Sequence, residues 1–345
     1  MAVATASGTD TIPAVVSRAG GALEGPESLI DAEIPAPEAP VGHDILVEVK
    51  AVSVNPVDVK IRARGGTSTA DRVLGWDASG TVVAVGGDVT LFRPGDDVYY
   101  AGSLERSGTY AKYQLVDERI VGHKPKSLSH AEAAALPLTT ITAWEALFDK
   151  LRLTAEDTGT LLVLGGAGGV GSILIQLAKT LTGVRVIATA SREESRTWLQ
   201  DLGADVVVDH SADDFEQQIM QAAPEGVDYV FTPQSKGRMP LFESVTRPFG
   251  QIVAIDDEGD LDFMSLKGKA ISWHWEFMFA RSLHHACDMV AQHELLDAVA
   301  ELVDAGRLHP VIEAELTPIN VANLVRAHEA VETGHLAGKV VLHGW

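Results

Sequence analysis

Leu161 to Lys179, LLVLGGAGGVGSILIQLAK, constrains this chain more than any other stretch. Leu161 to Leu164 read as a buried parallel strand. A glycine-rich turn follows, and then apolar residues at helical spacing: Val170, Ile173, Leu174, Leu177 and Ala178. Gly166, Gly168 and Gly171 stand in G-x-G-x-x-G register at the junction, with Gly169 and Val170 inside the turn. Such a turn is tight and brings backbone close to a diphosphate, while the free N–H groups of the helix face the anion. A bare glycine pattern says little, but a second strand, Val184 to Thr189, completes a β-α-β unit around this one. The stretch implies a dinucleotide site.

The 345 residues suffice for two domains, and 46% hydrophobic with 22% charged residues describes a globular chain. No apolar run reaches the ~18 residues that span a bilayer. MAVATASGTDTIPAVV lacks a basic region followed by an apolar one, so no secretory signal is expected and a cytoplasmic location is. Residues 1–12 are expected to form a disordered tail. A net charge of −21 repels nucleic acid and anionic membranes. The single cysteine, Cys287, permits neither an internal disulfide nor a cysteine-based zinc cluster.

From Ala14 to Glu118 short β-rich runs alternate with Gly and Pro turns, as in Ile45 to Val54, Gly80 to Val85 and Asp97 to Ala101. From Ser129 the texture becomes helical, with Pro137 at a break. Strands are expected at Val206 to Val208, Asp228 to Thr232, Gln251 to Ile255 and Ala270 to Trp273. Helices are expected at Glu193 to Leu202, Phe215 to Ala223 and Leu241 to Thr246. Repeated β-α units imply a parallel, doubly wound sheet. A long helix, about Ser282 to Ala305, and a last strand, Gly338 to Leu342, close the chain.

VSVNPVDVKIRA (Val52 to Ala63), LGWDASGTVVAVG (Leu74 to Gly86), RPGDDVY (Arg93 to Tyr99), AAALPLTTITAWEALF (Ala133 to Phe148), GGAGGVG, ISWHWEFMFARS (Ile271 to Ser282) and AGKVVL (Ala337 to Leu342) occur in this order. With them the chain resembles the medium-chain dehydrogenase/reductase superfamily, and most of all its zinc-free quinone oxidoreductase branch. The resemblance implies an α/β fold in which a Rossmann doubly wound parallel sheet (141–284) is inserted in a GroES-like irregular β-barrel domain (13–140 and 285–345). It also implies a homodimer. Zinc-dependent relatives carry a cysteine ligand where Asn55 stands and a histidine ligand where Trp76 stands, and their four-cysteine lobe is missing here. Asn and Trp do not replace two ligands of a tetrahedral zinc set, and none of the twelve histidines falls in H-E-x-x-H spacing. No metal is expected.

NAD sites place an acid at the end of the second strand, for the ribose 2′-hydroxyl. Here that place is Ala190, followed by Ser191 and Arg192, a hydroxyl and a guanidinium suited to a 2′-phosphate. NADP(H) is therefore the expected cofactor, with Arg196 a second cation. Glu193 and Glu194 work against this, although acids also suit a helix's first turn. By resemblance His210 lies beside the same phosphate, and Thr142 touches the nicotinamide. Thr232 and Ile255 end two strands where the nicotinamide half rests. Surface helix positions and a turn histidine are the structural alternatives for Ser191, Arg192 and His210.

Without a metal, a simple ketone lacks the Lewis acid that would carry a developing alkoxide. Quinones and α,β-unsaturated carbonyls delocalise that charge themselves, so quinones, enals and enones are the expected substrates. By resemblance Asn55 lies near the nicotinamide ribose, and Lys60 aligns where some relatives carry a proposed proton donor. Asp58 is its partner or a structural cap, and a surface salt bridge is the alternative for both. Trp76 and Trp144 are expected to line an apolar cleft, while the aromatic run from Trp273 to Phe279 is expected to pack in the core or a dimer interface. Two other functions fit the same residues: an NADP-dependent alcohol dehydrogenase or carbonyl reductase, and a non-catalytic NADPH-binding sensor.

Overall fold

A computed structural model describes residues 10–18, 21, 23, 28–64, 71–334 and 336–345. It divides into two compact units, Met1–Leu138 with Phe279–Trp345, and Thr139–Met278. The first unit is thus split in sequence, with junctions at 138/139 and 278/279 against the expected 140/141 and 284/285. The strand Thr11–Ser17 pairs with Ile30–Pro35, so Thr11 and Ile12 lie in a sheet, contrary to a tail extending to residue 12. Residues 1–9, and most of the loop from Gly65 to Asp71, lie outside the described residues.

In the first unit, a seven-strand sheet runs in the order Ile312–Leu316, Lys339–His343, Asp44–Val54, Asp77–Val85, Asp97–Tyr100 and Val121–His123, with Tyr113–Asp117 also paired to Asp44–Val54. Alternation makes the long strand: from Ile45 to Ala51 every second side chain is fully buried. The final strand, at the opposite end of the sequence, sets Val340 against Val54 and His343 against Ala51. Two helices carry out what Ser129 and Pro137 announce. Ser129 Oγ accepts from the Glu132 N–H and the Glu132 carboxylate accepts from the Ser129 N–H, a capping box, while Pro137 opens the next helix.

The second unit holds six parallel strands in the order Val206–Val208, Arg185–Thr189, Thr160–Val163, Val227–Thr232, Thr246–Ala254 and Ser272–Trp275. Chain order reverses beside Thr160–Val163, the switch point at which such sheets take ligands. The helix Gly169–Leu181 presents Ile173, Leu174, Leu177 and Ala178 to the interior, all fully buried. Trp273 packs against Phe242, Phe263 and Trp275, with ring centroids 5.2 to 6.1 Å apart, while Trp275 and Phe277 remain exposed.

The helix expected from Ser282 to Ala305 is two helices, Ala280–Leu283 and Ala291–Asp304. His285 takes a left-handed conformation (φ 45°), which no α-helix accommodates, and the Ala286 N–H turns back to the Arg281 carbonyl at 3.0 Å. His284 and His285 therefore sit at a break.

Glu276 is the least expected buried group of the second unit. Its side-chain oxygens are sealed from water beside the Glu145 carboxylate, and burial, then that neighbouring charge, pushes its pKa well above the carboxylate range. An acid raised on folding stabilises the fold at low pH and loses that contribution as pH rises toward the shifted value. Glu276→Gln, which mimics the protonated acid, is expected to flatten the fall in unfolding free energy between about pH 5 and about pH 9. Urea titrations across that range check it, and equal slopes for the two proteins would contradict it.

Candidate functional site

Gly165 ends the first Rossmann strand in a left-handed conformation (φ 64°), and the Gly168 N–H closes the turn on the Gly165 carbonyl at 3.1 Å. Gly168, extended at φ −72° and ψ 169°, is the N-cap of Gly169–Leu181. The glycines serve different ends. A Cβ on Gly171 would stand 2.5 Å from the Gly165 carbonyl oxygen, so helix and turn approach as closely as they do only without a side chain. On Gly166 it would press Leu199 at 3.0 Å and Ala188 at 3.3 Å. On Gly168 it would meet only the Gly165 oxygen, at 3.4 Å, so that side of the turn is open. A turn sealed against its own sheet and open at the helix N-terminus fits a dinucleotide diphosphate. Ser172 locks it, donating to the Gly166 carbonyl at 3.2 Å and accepting from the Trp198 indole at 3.0 Å.

At the end of the second Rossmann strand Ala190 is buried, and no acid stands in its place. Ser191 and Arg192 are exposed, Arg192 capping the helix Glu193–Asp201. Arg196 is half-buried and donates to the Val207 carbonyl at 3.1 Å. His210 is exposed, and its pKa is lowered by partial burial and then by the Arg238 guanidinium. Arg238, a further cation on this side, was not singled out from the sequence. Thr232 and Ile255 end adjacent strands, joined by the Ile255 N–H to the Thr232 carbonyl at 3.1 Å. Thr142 is buried on the helix Pro137–Trp144 of the same unit.

The first unit carries a separate polar core. Asn55 is 1% exposed at the start of the helix Pro56–Arg64. Its Nδ2 donates to Asp77 Oδ2 at 2.8 Å, and its Oδ1 accepts from Lys339 Nζ. Lys339 also donates to the Val54 carbonyl at 3.2 Å and to Asp77 Oδ2 at 3.1 Å. Ser53 Oγ and the Leu138 N–H complete the shell of Asp77, each at 2.7 Å. A buried carboxylate is thereby held by four donor groups.

Asp58 accepts from the Asn55 N–H at 2.7 Å and from Tyr110 Oη at 3.2 Å. Burial pushes its pKa up to about 7, against the pull of the Asn55 N–H and of Lys339. Tyr110 in turn lies 3.3 Å from His328 Nε2, while Arg62 Nε donates to His328 Nδ1 at 3.3 Å. Burial and then Arg62 push His328 down to about 3. The ring is therefore neutral, with its proton on Nε2, and the hydrogen bonds run from Arg62 through His328 and Tyr110 to Asp58. Lys60, on the same helix, is exposed and outside this buried core.

These side chains do not supply a zinc donor set. Asn55, at the cysteine position, offers a neutral amide already engaged with Asp77 and Lys339. Trp76, at the histidine position, is 1% exposed; its indole donates to the Ser103 carbonyl at 3.3 Å and meets Phe279 edge-on. Trp76 thus packs within the first unit. Lys339, Tyr110, His328 and Arg62 were missed in the sequence, although a lysine heading the apolar run Val340 to Leu342 was an available signal.

Two family models match the chain: one described as an alcohol dehydrogenase GroES-like domain over residues 42–126, the other as a zinc-binding dehydrogenase over 202–342. A zinc-type alcohol dehydrogenase-like protein of Staphylococcus aureus is 43% identical over 312 residues, 88% of this chain and 92% of that protein. The human mitochondrial NAD(P)H oxidoreductase RTN4IP1 is 32% identical over 330 residues, 87% of this chain and 82% of its own. A crystal structure from Rhizobium etli CFN 42, named for a zinc-dependent alcohol dehydrogenase, superposes with a TM-score of 0.93 at 48% identity, covering 97% of this chain and 99% of that one.

Removing the cation tests the polar core. Lys339→Met is expected to cost about 3–5 kcal/mol, because it leaves Asp77 buried and unpaired, and the double variant with Asp77→Asn is expected to lose less. Denaturant unfolding of the three variants measures this, and additive losses would contradict the pairing.

Proposed function

Because this chain belongs to the medium-chain dehydrogenase/reductase superfamily of oxidoreductases, we propose that it reduces quinones or α,β-unsaturated carbonyls with NADPH and without a metal. The observation that carries the reading is Asn55, held between Asp77 and Lys339 where zinc-dependent relatives have a ligand. NADPH, when bound, supplies two electrons and a proton's mass as hydride from its nicotinamide. In an enone the β-carbon accepts the hydride, the π electrons move to oxygen, and a proton then returns to the α-carbon. A quinone takes the hydride and one proton and leaves as hydroquinone. Neither reaction develops the localised alkoxide that requires a Lewis acid.

The residues take the following roles in this reading. The turn Gly166 to Gly171, with Gly169 and Val170 opening the helix, binds the diphosphate. Ser191 and Arg192 bind the 2′-phosphate, flanked by His210 and Arg238, and the apolar Ala190 leaves room for it where a carboxylate would repel it. Thr142, Thr232 and Ile255 support the nicotinamide half. Asn55 has a second amide N–H with which to bond substrate or cofactor, and Asp58 positions it by accepting its backbone N–H. The proton comes from solvent or from the exposed ammonium of Lys60. A homodimer belongs to the same reading: Ser272–Trp275 ends the six-strand order, with Trp275 and Phe277 exposed beside it.

No described helix is long and apolar enough to cross a membrane. Chelator-treated protein is expected to oxidise NADPH with an ortho-quinone or a medium-chain enone, and NADH more slowly. Arg192→Gln is expected to lower kcat/KM for NADPH about tenfold or more, the loss of one charge-assisted bond, and to leave NADH turnover unchanged. Ketone reduction restored by zinc would favour an alcohol dehydrogenase, and NADPH binding without turnover would favour a sensor.

A further inference from the structure

Gly122 allows the strand Val121–His123 to lie directly on the helix Ala291–Asp304. A Cβ there would stand 2.4 Å from Leu296 Cβ. The approach brings His123 to the helix face that carries His293 and Asp297, which are one turn apart. Each of the three offers a donor atom, and these atoms lie within 4.8 Å of one another. They belong to the first unit and share no residue with the core around Asn55.

The His293 ring is oriented as a ligand's. His293 Nδ1 lies 2.7 Å from the Val121 carbonyl, which accepts only an N–H, so in the neutral ring Nε2 keeps its lone pair. That lone pair faces Asp297 Oδ2 at 3.6 Å, two acceptors pointing at one another. His123 Nδ1 is hydrogen-bonded to the same carboxylate, 3.0 Å from Oδ2 and 3.2 Å from Oδ1. Asp297 Oδ1 is fixed in turn by the His123 backbone N–H at 2.7 Å. Phe92 packs on both imidazoles, with ring centroids 4.6 Å and 5.5 Å away. A histidine whose far nitrogen donates to a backbone carbonyl is the usual outer-shell arrangement of a metal-bound imidazole.

We propose that His123, His293 and Asp297 bind a divalent ion of the zinc or cobalt type at the surface of the first unit, apart from any catalytic position. Two imidazoles and a carboxylate suit such ions better than calcium or magnesium, which take oxygen ligands. Side-chain exposures of 46% for His123 and 35% for Asp297 admit an ion and leave coordination positions for water. Of the other charges that act on His123, Asp96 favours a cation and Lys126 opposes one. Asp297 stands 174 positions from His123, so a bound ion joins the early and late parts of a unit that the chain builds in two pieces.

Metal-free protein titrated with Co²⁺ tests the site by visible absorption and by the thermal midpoint. The proposal expects one equivalent to give the intense d–d bands of a four- or five-coordinate ion, a raised midpoint, and bleaching by Zn²⁺. His293→Gln is expected to weaken Co²⁺ binding at least about tenfold while leaving NADPH oxidation unchanged. His123→Asn, a change at an exposed ring, gives the same readout should the first variant fail to fold. The faint spectrum of solvated octahedral cobalt in the parent protein would overturn the site, as would intense bands that persist in both variants.

Discussion

Lys339 and Asp77 form an ion pair that is sealed from water, their side chains 4% and 0% exposed and 3.1 Å apart. Each charge alone would be costly in that environment; together, and with Ser53, Asn55, the Val54 carbonyl and the Leu138 N–H satisfying the remaining valences, they are tolerated. The pair joins residues from opposite ends of the sequence. Lys339 opens the last strand, Asp77 opens another, and Asp44–Val54 lies between them in the sheet. The ordering of Asn55 follows from this pair, and with it the ordering of the helix whose first turn holds Asp58.

That dependence bears on the zinc in the names of the chain's relatives. Zinc appears in the description of one matching family model and in the names of its Staphylococcus and Rhizobium relatives. A zinc ligand must present an unshared electron pair to the ion. The Asn55 oxygen is instead directed at an ammonium, and the Trp76 indole is a donor turned to a carbonyl. The second network, from Arg62 to Asp58, has the same character: neutral His328 and a tyrosine hydroxyl pass hydrogen bonds along a buried line and fix side chains without a metal.

How much was legible in the sequence depended on how local the physics is. The glycine turn was legible because strand, turn and helix are contiguous. The split of the first unit was legible only through the order of family motifs. The broken helix after Phe279 was not, since apolar spacing continues across a break that a single left-handed residue, His285, creates. The cation of the polar core shows the limit most clearly. Alignment with a proposed proton donor of relatives singled out Lys60, which is exposed, whereas the ammonium on Asn55 belongs to Lys339, 284 positions away. Only the antiparallel register of Val340 with Val54 brings them together, and nothing in either segment alone specifies it.

Hydride transfer without a metal is the claim on which the functional account stands, and isotopic label follows it directly. Protein freed of metal and assayed for residual zinc would be given NADPH deuterated at the nicotinamide C4 and an enone. The account predicts deuterium at the β-carbon of the product and a rate independent of zinc content. A rate that rises in proportion to zinc, or a product without the label, would contradict it.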